Sequence, residues 1–119
     1  MTPQPSADFI IYHNPSCSTS RKALEAIRAT GVEPTVVQYV KAGWTADQLR
    51  QLFSDAGLTA REALRTKQAE GAELAARNPS EDEIIAAMVE MPVLVERPFV
   101  VTPKGTRLAR PLERISEVL

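Results

Sequence analysis

The chain is poor in metal-binding and cross-linking side chains, with one cysteine and one histidine among 119 residues. A lone cysteine closes no internal disulfide, so nothing in the sequence requires an oxidising compartment. One histidine and one cysteine cannot supply the four ligands of a structural zinc site, and no metal is expected. An excess of either charge is also missing: 14 Lys and Arg stand against 15 Asp and Glu, a net charge of -1. That balance leaves no basic surplus for broad nucleic-acid binding and no acidic tail. Apolar runs are short, as in Phe99-Val100-Val101, far below the ~20 residues of a membrane-spanning helix. The segment Met1 to Asp8 has neither a charged start nor an apolar stretch, and so does not read as a secretion signal. It reads as a disordered arm over residues 1–8, ahead of one domain over residues 9–119. A cytoplasmic protein is expected, with no membrane partner.

What is present suits one hydrophobic core, since 44% of the residues are hydrophobic. Phe9-Ile10-Ile11-Tyr12 reads as a buried strand that stops at the loop His13-Asn14-Pro15. Ser18-Thr19-Ser20 can open a helix with Ala23, Leu24 and Ile27 on one face, ended by Gly31. Val36 to Val40 reads as a second strand, which makes a parallel strand-helix-strand unit. Three capping-box pairs follow, Thr45 with Gln48, Thr59 with Glu62 and Ser80 with Glu83. Each opens a helix: Leu49, Leu52 and Phe53 follow the first, Ala63 and Leu64 the second, and Ile84, Ile85, Met88 and Val89 the third. The polar, Ala-rich stretch from Lys67 to Asn78 is left unassigned. Phe99-Val100-Val101 and Arg107-Leu108-Ala109 read as an antiparallel pair around the turn Pro103-Lys104-Gly105. Pro111 suits the first turn of a last helix, with Leu112, Ile115 and Val118 or Leu119 inward. The expected fold is α/β: a thioredoxin-like, four-stranded mixed sheet with flanking helices and a helical insertion at about residues 44–91.

The chemistry concentrates in His13-Asn14-Pro15-Ser16-Cys17-Ser18-Thr19-Ser20-Arg21. Cys17 follows a strand and directly precedes a helix. The unpaired backbone N–H groups there favour the thiolate, the form that attacks. The same groups make an anion site. A free cysteine is ordinarily a small buried hydrophobe, but polar flanks in a strand-to-helix loop argue against that fate. His13 is either a satisfied histidine at a strand end or a group that tunes Cys17. Arg21 adds positive charge one turn on, or pairs with Glu25. A phosphatase loop is excluded, because it needs arginine where Ala23 stands. A Cys-x-x-Cys dithiol is excluded by Ser20. An outside thiol must therefore resolve whatever Cys17 forms.

The run His13 to Arg21 followed by Lys22-Ala23-Leu24 resembles the active-site signature of the glutaredoxin-coupled arsenate reductases. So do Gly31-Val32-Glu33-Pro34-Thr35, Arg97-Pro98-Phe99-Val100-Val101-Thr102, and Gly105-Thr106-Arg107-Leu108-Ala109-Arg110-Pro111. The resemblance runs from about residue 9 to residue 119. It implies Cys17 as the nucleophile, supported by His13, Asn14, Ser18, Thr19, Ser20 and Arg21. It also implies three arginines around an oxyanion: Arg65, with Arg61 a nearby rival, Arg97 and Arg110. Guanidinium forks match oxyanions and keep their charge. Pro98 is implied as the cis-proline beside the nucleophile. The implied reaction is reduction of arsenate, or a similar oxyanion, through a Cys17 thiol–arsenate adduct. Glutathione serves as co-substrate and glutaredoxin as partner, with no bound cofactor. The chain departs from the pattern at Ser18, where a glycine often stands, and lacks a C-terminal extension that some members carry. Two alternatives stay open: a glutathione-dependent thiol oxidoreductase with another substrate, and a non-enzymatic Spx-like regulator that binds RNA polymerase.

Overall fold

The computed structural model describes residues 6–119. They divide into two compact units, residues 6–39 with 97–119, and residues 40–96. The first unit is built on a four-stranded sheet of β1 (Ser6–Tyr12), β2 (Pro34–Val37), β3 (Phe99–Thr102) and β4 (Gly105–Leu108), in the order β2-β1-β3-β4. β1 runs parallel to β2 and antiparallel to β3, and β3 and β4 form an antiparallel hairpin. Helix α1 (Ser18–Ala29) joins β1 to β2, the crossover that a parallel pair requires. Ala23 and Ile27 of α1 pack with Ile11 and Val100 of the sheet, with Ile115 of a closing 3-10 helix, Leu112–Glu117, and with Val118 just after it. A fully buried aliphatic side chain of this kind contributes about 1.5–3 kcal/mol, so this cluster anchors α1 to the sheet. Thr30 caps α1, and Gly31 beyond it takes φ 91°, a backbone that glycine adopts without steric penalty. The α/β, thioredoxin-like mixed sheet expected from the sequence is thus present.

Three details of this unit differ from expectation. β1 starts at Ser6 rather than at Phe9, because Ser6 donates its N–H to the Glu33 carbonyl at 2.7 Å. The remaining part of the expected arm, residues 1–5, lies outside the described residues. β2 ends at Val37 instead of Val40. The pairing with β1 finishes at Tyr12–Val37, and the chain beyond Tyr12 turns away into the active-site loop, so residues 38–40 have no strand to join. Tyr39, fully buried, opens a single helical turn instead, α2 (Tyr39–Ala42). The last helix is of the 3-10 type, with Pro111 as its N-cap rather than in its first turn.

The second unit is helical: α3 (Ala46–Ala56), α4 (Ala60–Ala63), α5 (Ala69–Ala76), α6 (Glu81–Glu90) and a 3-10 turn, Pro92–Leu94. All three capping boxes form, at Thr45, Thr59 and Ser80, each satisfying two backbone donors that a helix start leaves open. Leu49, Leu52, Phe53, Ile84, Ile85 and Met88 are buried, whereas Val89, expected to face inward, is 36% exposed. The apolar stripe of α6 is narrower than its sequence suggested. The unassigned Ala-rich stretch contains α5. Its Gly71 is buried against the Arg65 carbonyl, where a Cβ would collide. α4 stops at Ala63, and Leu64 passes into an isolated bridge with Val95. Backbone bonds from Arg65 to Leu94 and from Glu96 to Ala63, both 2.8 Å, flank that bridge.

Candidate active site

Cys17 is the N-cap residue of α1, in extended backbone (φ -97°, ψ 121°) and without a side-chain cap. Its carbonyl accepts the Arg21 N–H and its own N–H donates to the Asn14 carbonyl, both at 3.0 Å. The sulfur is therefore free to take the open N–H groups of the first helical turn, those of Thr19 and Ser20. The loop before it is braced twice over. Asn14 Oδ1 accepts the Ser16 N–H at 3.0 Å, and Arg21 Nη1 donates to the Pro15 carbonyl at 2.7 Å. Arg21 therefore spans the loop instead of pairing with Glu25.

Ser20, where a dithiol motif would carry its second cysteine, is fully buried and works on the loop. Its Oγ lies 2.6 Å from His13 Nδ1 and accepts the Asn14 N–H at 3.1 Å. His13 is 6% exposed. Burial, with the charges of Arg28 and Arg21 behind it, holds its pKa below the ordinary histidine value. The ring touches the Cys17 loop through the Ser20 hydroxyl, which also takes the Asn14 N–H.

Two arginines meet at the sulfur for a reason visible in the hairpin. β3 and β4 pair Phe99 with Leu108. Arg97 lies two residues before the first and Arg110 two after the second, so the register sets them abreast at the open end of the hairpin. Arg110 Nη1 donates to the Arg97 carbonyl at 3.1 Å and stands 3.8 Å from Cys17 Sγ. Arg97 is 7% exposed. The Arg97–Pro98 bond is cis, as the resemblance implied for Pro98, and the Arg110–Pro111 bond is cis as well. Partial burial by itself would raise the Cys17 pKa. The Ser20 N–H, the Arg110 guanidinium, the Thr19 N–H and the charge of Arg97 outweigh it and bring the thiol below its ordinary value. The result is a sulfur beside backbone N–H donors and the Arg110 guanidinium, with the charge of Arg97 acting on it, surroundings that favour the thiolate over the thiol.

The structure thus brings Cys17, His13, Asn14, Thr19, Ser20, Arg21, Arg97, Pro98 and Arg110 together in the first unit. Ser18, the first residue of α1, is exposed. Arg65 belongs to the second unit, where its Nη1 holds Glu96 Oε1 at 2.8 Å with both side chains largely buried. Arg61, its rival, is exposed and reaches Asn78 Oδ1 at 3.3 Å. The Arg65–Glu96 pair had no signal in the sequence: the two residues lie 31 positions apart and meet because the backbone bridge aligns them. Among the described residues, no group of three His, Cys, Asp or Glu side chains could hold a metal ion, and no helix is long and apolar enough to cross a membrane.

The profile of the ArsC family matches residues 12–118. An arsenate reductase of Synechocystis is 51% identical over 113 residues, 93% of this chain and 81% of that protein. An arsenate reductase of Escherichia coli is 45% identical over 116 residues, 95% and 82% of the two chains. Among solved structures, an arsenate reductase from Vibrio cholerae superposes with a TM-score of 0.86 at 37% identity, covering 93% of this chain and 97% of the other.

Proposed function

This chain belongs to the ArsC family, and from that premise we propose that it reduces arsenate to arsenite with Cys17 as nucleophile and with glutathione and glutaredoxin as the reducing partners. The observation that carries the reading is the meeting of Cys17 Sγ with the Arg110 guanidinium at 3.8 Å, at the open end of a hairpin that also delivers Arg97. A thiolate alone serves many exchange reactions. A thiolate with two arginines and the first-turn helix N–H donors beside it suits an anionic, oxygen-rich electrophile.

The Cys17 thiolate attacks arsenic, an S–As bond forms, and one arsenate oxygen leaves as water after protonation. Arg97, Arg110 and the Thr19 and Ser20 N–H groups hold the remaining oxygens and the charge that shifts onto them. The chain has no second cysteine, so the electrons that complete the reduction come from outside. A glutathione thiolate attacks the Cys17 sulfur, an S–S bond forms, and the S–As pair returns to arsenic, which leaves as arsenite in the +3 state. Glutaredoxin then removes glutathione from Cys17 and restores the thiol. This sequence suits a cytoplasmic setting, where such thiols are kept reduced.

The test is arsenite formation by the purified chain with glutathione and glutaredoxin, beside Cys17→Ser. The hydroxyl of the variant is far less ionised than the thiol and forms no adduct. Wild type is expected to turn over and the variant to be inactive with an unchanged circular dichroism spectrum. Disulfide exchange at Cys17 without arsenite formation would assign the site to another substrate.

A further inference from the structure

An open groove of about 410 Å³ lies beside the nucleophile, lined by Thr19, Lys22, Arg110, Pro111, Leu112 and Glu113. It shares Arg110 with the Cys17 sulfur, and its size falls in the ~300–1,000 Å³ range of small-molecule sites. Its walls come from one turn of α1 and from the segment that leaves β4, both in the sheet unit. Arginine apart, it offers one cation and one anion. Lys22 and Glu113 are exposed, and neither side chain has an ion-pair or hydrogen-bond partner among the described residues. Both charges are therefore open to a ligand. Half-buried Leu112 stands beside Glu113 as the apolar part of the wall.

We propose that this groove seats the tripeptide thiol that resolves Cys17, with Lys22 on the α-carboxylate and Glu113 on the α-ammonium of its γ-glutamyl end. This rests on the reading above that glutathione is the thiol that meets Cys17. The γ-glutamyl end carries one charge of each sign on one carbon, which matches the uncommitted pair in the groove. Its methylenes lie along Leu112. Arg110 stands at the mouth, where the cysteinyl sulfur reaches the Cys17 sulfur. Simple attraction to glutathione as an anion would instead favour positive charge everywhere on the wall and would make Glu113 unfavourable.

The experiment needs no arsenate, so it succeeds or fails independently of arsenate reduction. The rate of Cys17 modification by glutathione disulfide is divided by the rate with 2-hydroxyethyl disulfide, which carries no charge. Cys17–S⁻ attacks one disulfide sulfur and the other half leaves as a thiolate, in both cases. Any change in the reactivity of the Cys17 thiolate cancels in the ratio. Lys22→Glu is expected to lower the ratio about fivefold, the size of one exposed ion pair, and Glu113→Lys to lower it by a similar factor. With the disulfide of cysteinylglycine, which lacks the γ-glutamyl group, neither variant should shift the ratio. Lys41→Glu, with the same change of net charge on α2, is the control. A rise in the ratio for Glu113→Lys would overturn the proposal in favour of non-specific attraction. An unchanged ratio for Lys22→Glu, or an equal fall for Lys41→Glu, would also overturn it.

Discussion

Arg110→Lys is the substitution that most directly separates oxyanion binding from thiol activation. In the folded chain one nitrogen of the Arg110 guanidinium serves two partners, the Arg97 carbonyl at 3.1 Å and the Cys17 sulfur at 3.8 Å. Lysine keeps the charge but replaces the planar fork with a single ammonium on a flexible stem. It cannot hold the carbonyl, flank the sulfur and grip two oxygens together. A charge-assisted hydrogen bond contributes about 1.5–3 kcal/mol, so losing one such contact in the transition state lowers kcat/KM for arsenate by roughly one to two orders of magnitude. Arg97→Lys is expected to behave similarly, because its site is buried and leaves little room for an ammonium to find other partners. Arg50→Lys is the control, since Arg50 on α3 is half exposed and pairs only loosely with Asp47 and Asp82 at 3.6 and 3.4 Å. The assay follows arsenite formation in parallel with exchange of an uncharged disulfide, at a pH where Cys17 is fully ionised in every variant. Under that condition the effect of Arg110 on thiolate formation drops out. The disulfide has no oxyanion at its reacting centre, so its rate should change by less than a few-fold. Equal losses on both substrates would refute the reasoning and make Arg110 a general support of the loop. No loss on arsenate would mean that the arginines do not hold the oxyanion.

Three further outcomes are expected. Iodoacetamide alkylation of Cys17 across pH should show a midpoint below the ordinary thiol value of about 8.5, because the donors around the sulfur outweigh its burial; a midpoint at or above that value would contradict the site described. His13, with its folded pKa depressed, binds fewer protons than in the unfolded chain. Its contribution to stability is therefore complete above the unfolded value of about 6.5 and is lost as pH falls through the folded value. Urea melts between pH 7.5 and 5 should show this loss, and His13→Asn should flatten it. Gly71→Ala forces a Cβ against the Arg65 carbonyl and should cost about 1–3 kcal/mol in urea unfolding, whereas Gly57→Asn, at a left-handed helix end with no close neighbour, should cost less.

Local chemistry was fully legible in the sequence wherever neighbouring residues decide the outcome. Three Ser or Thr residues with Glu or Gln three positions later gave three capping boxes, and the Cys17 loop between a strand and a helix gave a sulfur at a helix start. Such features depend on bonds within four residues, so no distant partner can cancel them. The sheet was readable for the same reason: its strands alternate or run apolar between turns, and a strand-helix-strand unit leaves few ways to close. The arginines were a different case. Composition and spacing could not tell Arg97 and Arg110 from other surface charges, and only a resemblance singled them out. The β3–β4 register makes them neighbours across 13 residues of chain. Tertiary structure alone also decided that β2 stops at Val37, because a strand extends only as far as its partner does. It decided that Val89 stays exposed on α6, since burial depends on what faces a helix as well as on its period. It decided that Arg65 holds Glu96 and that Lys22 and Glu113 share one groove, because residues far apart in sequence meet only through the backbone pairing and packing of the whole chain.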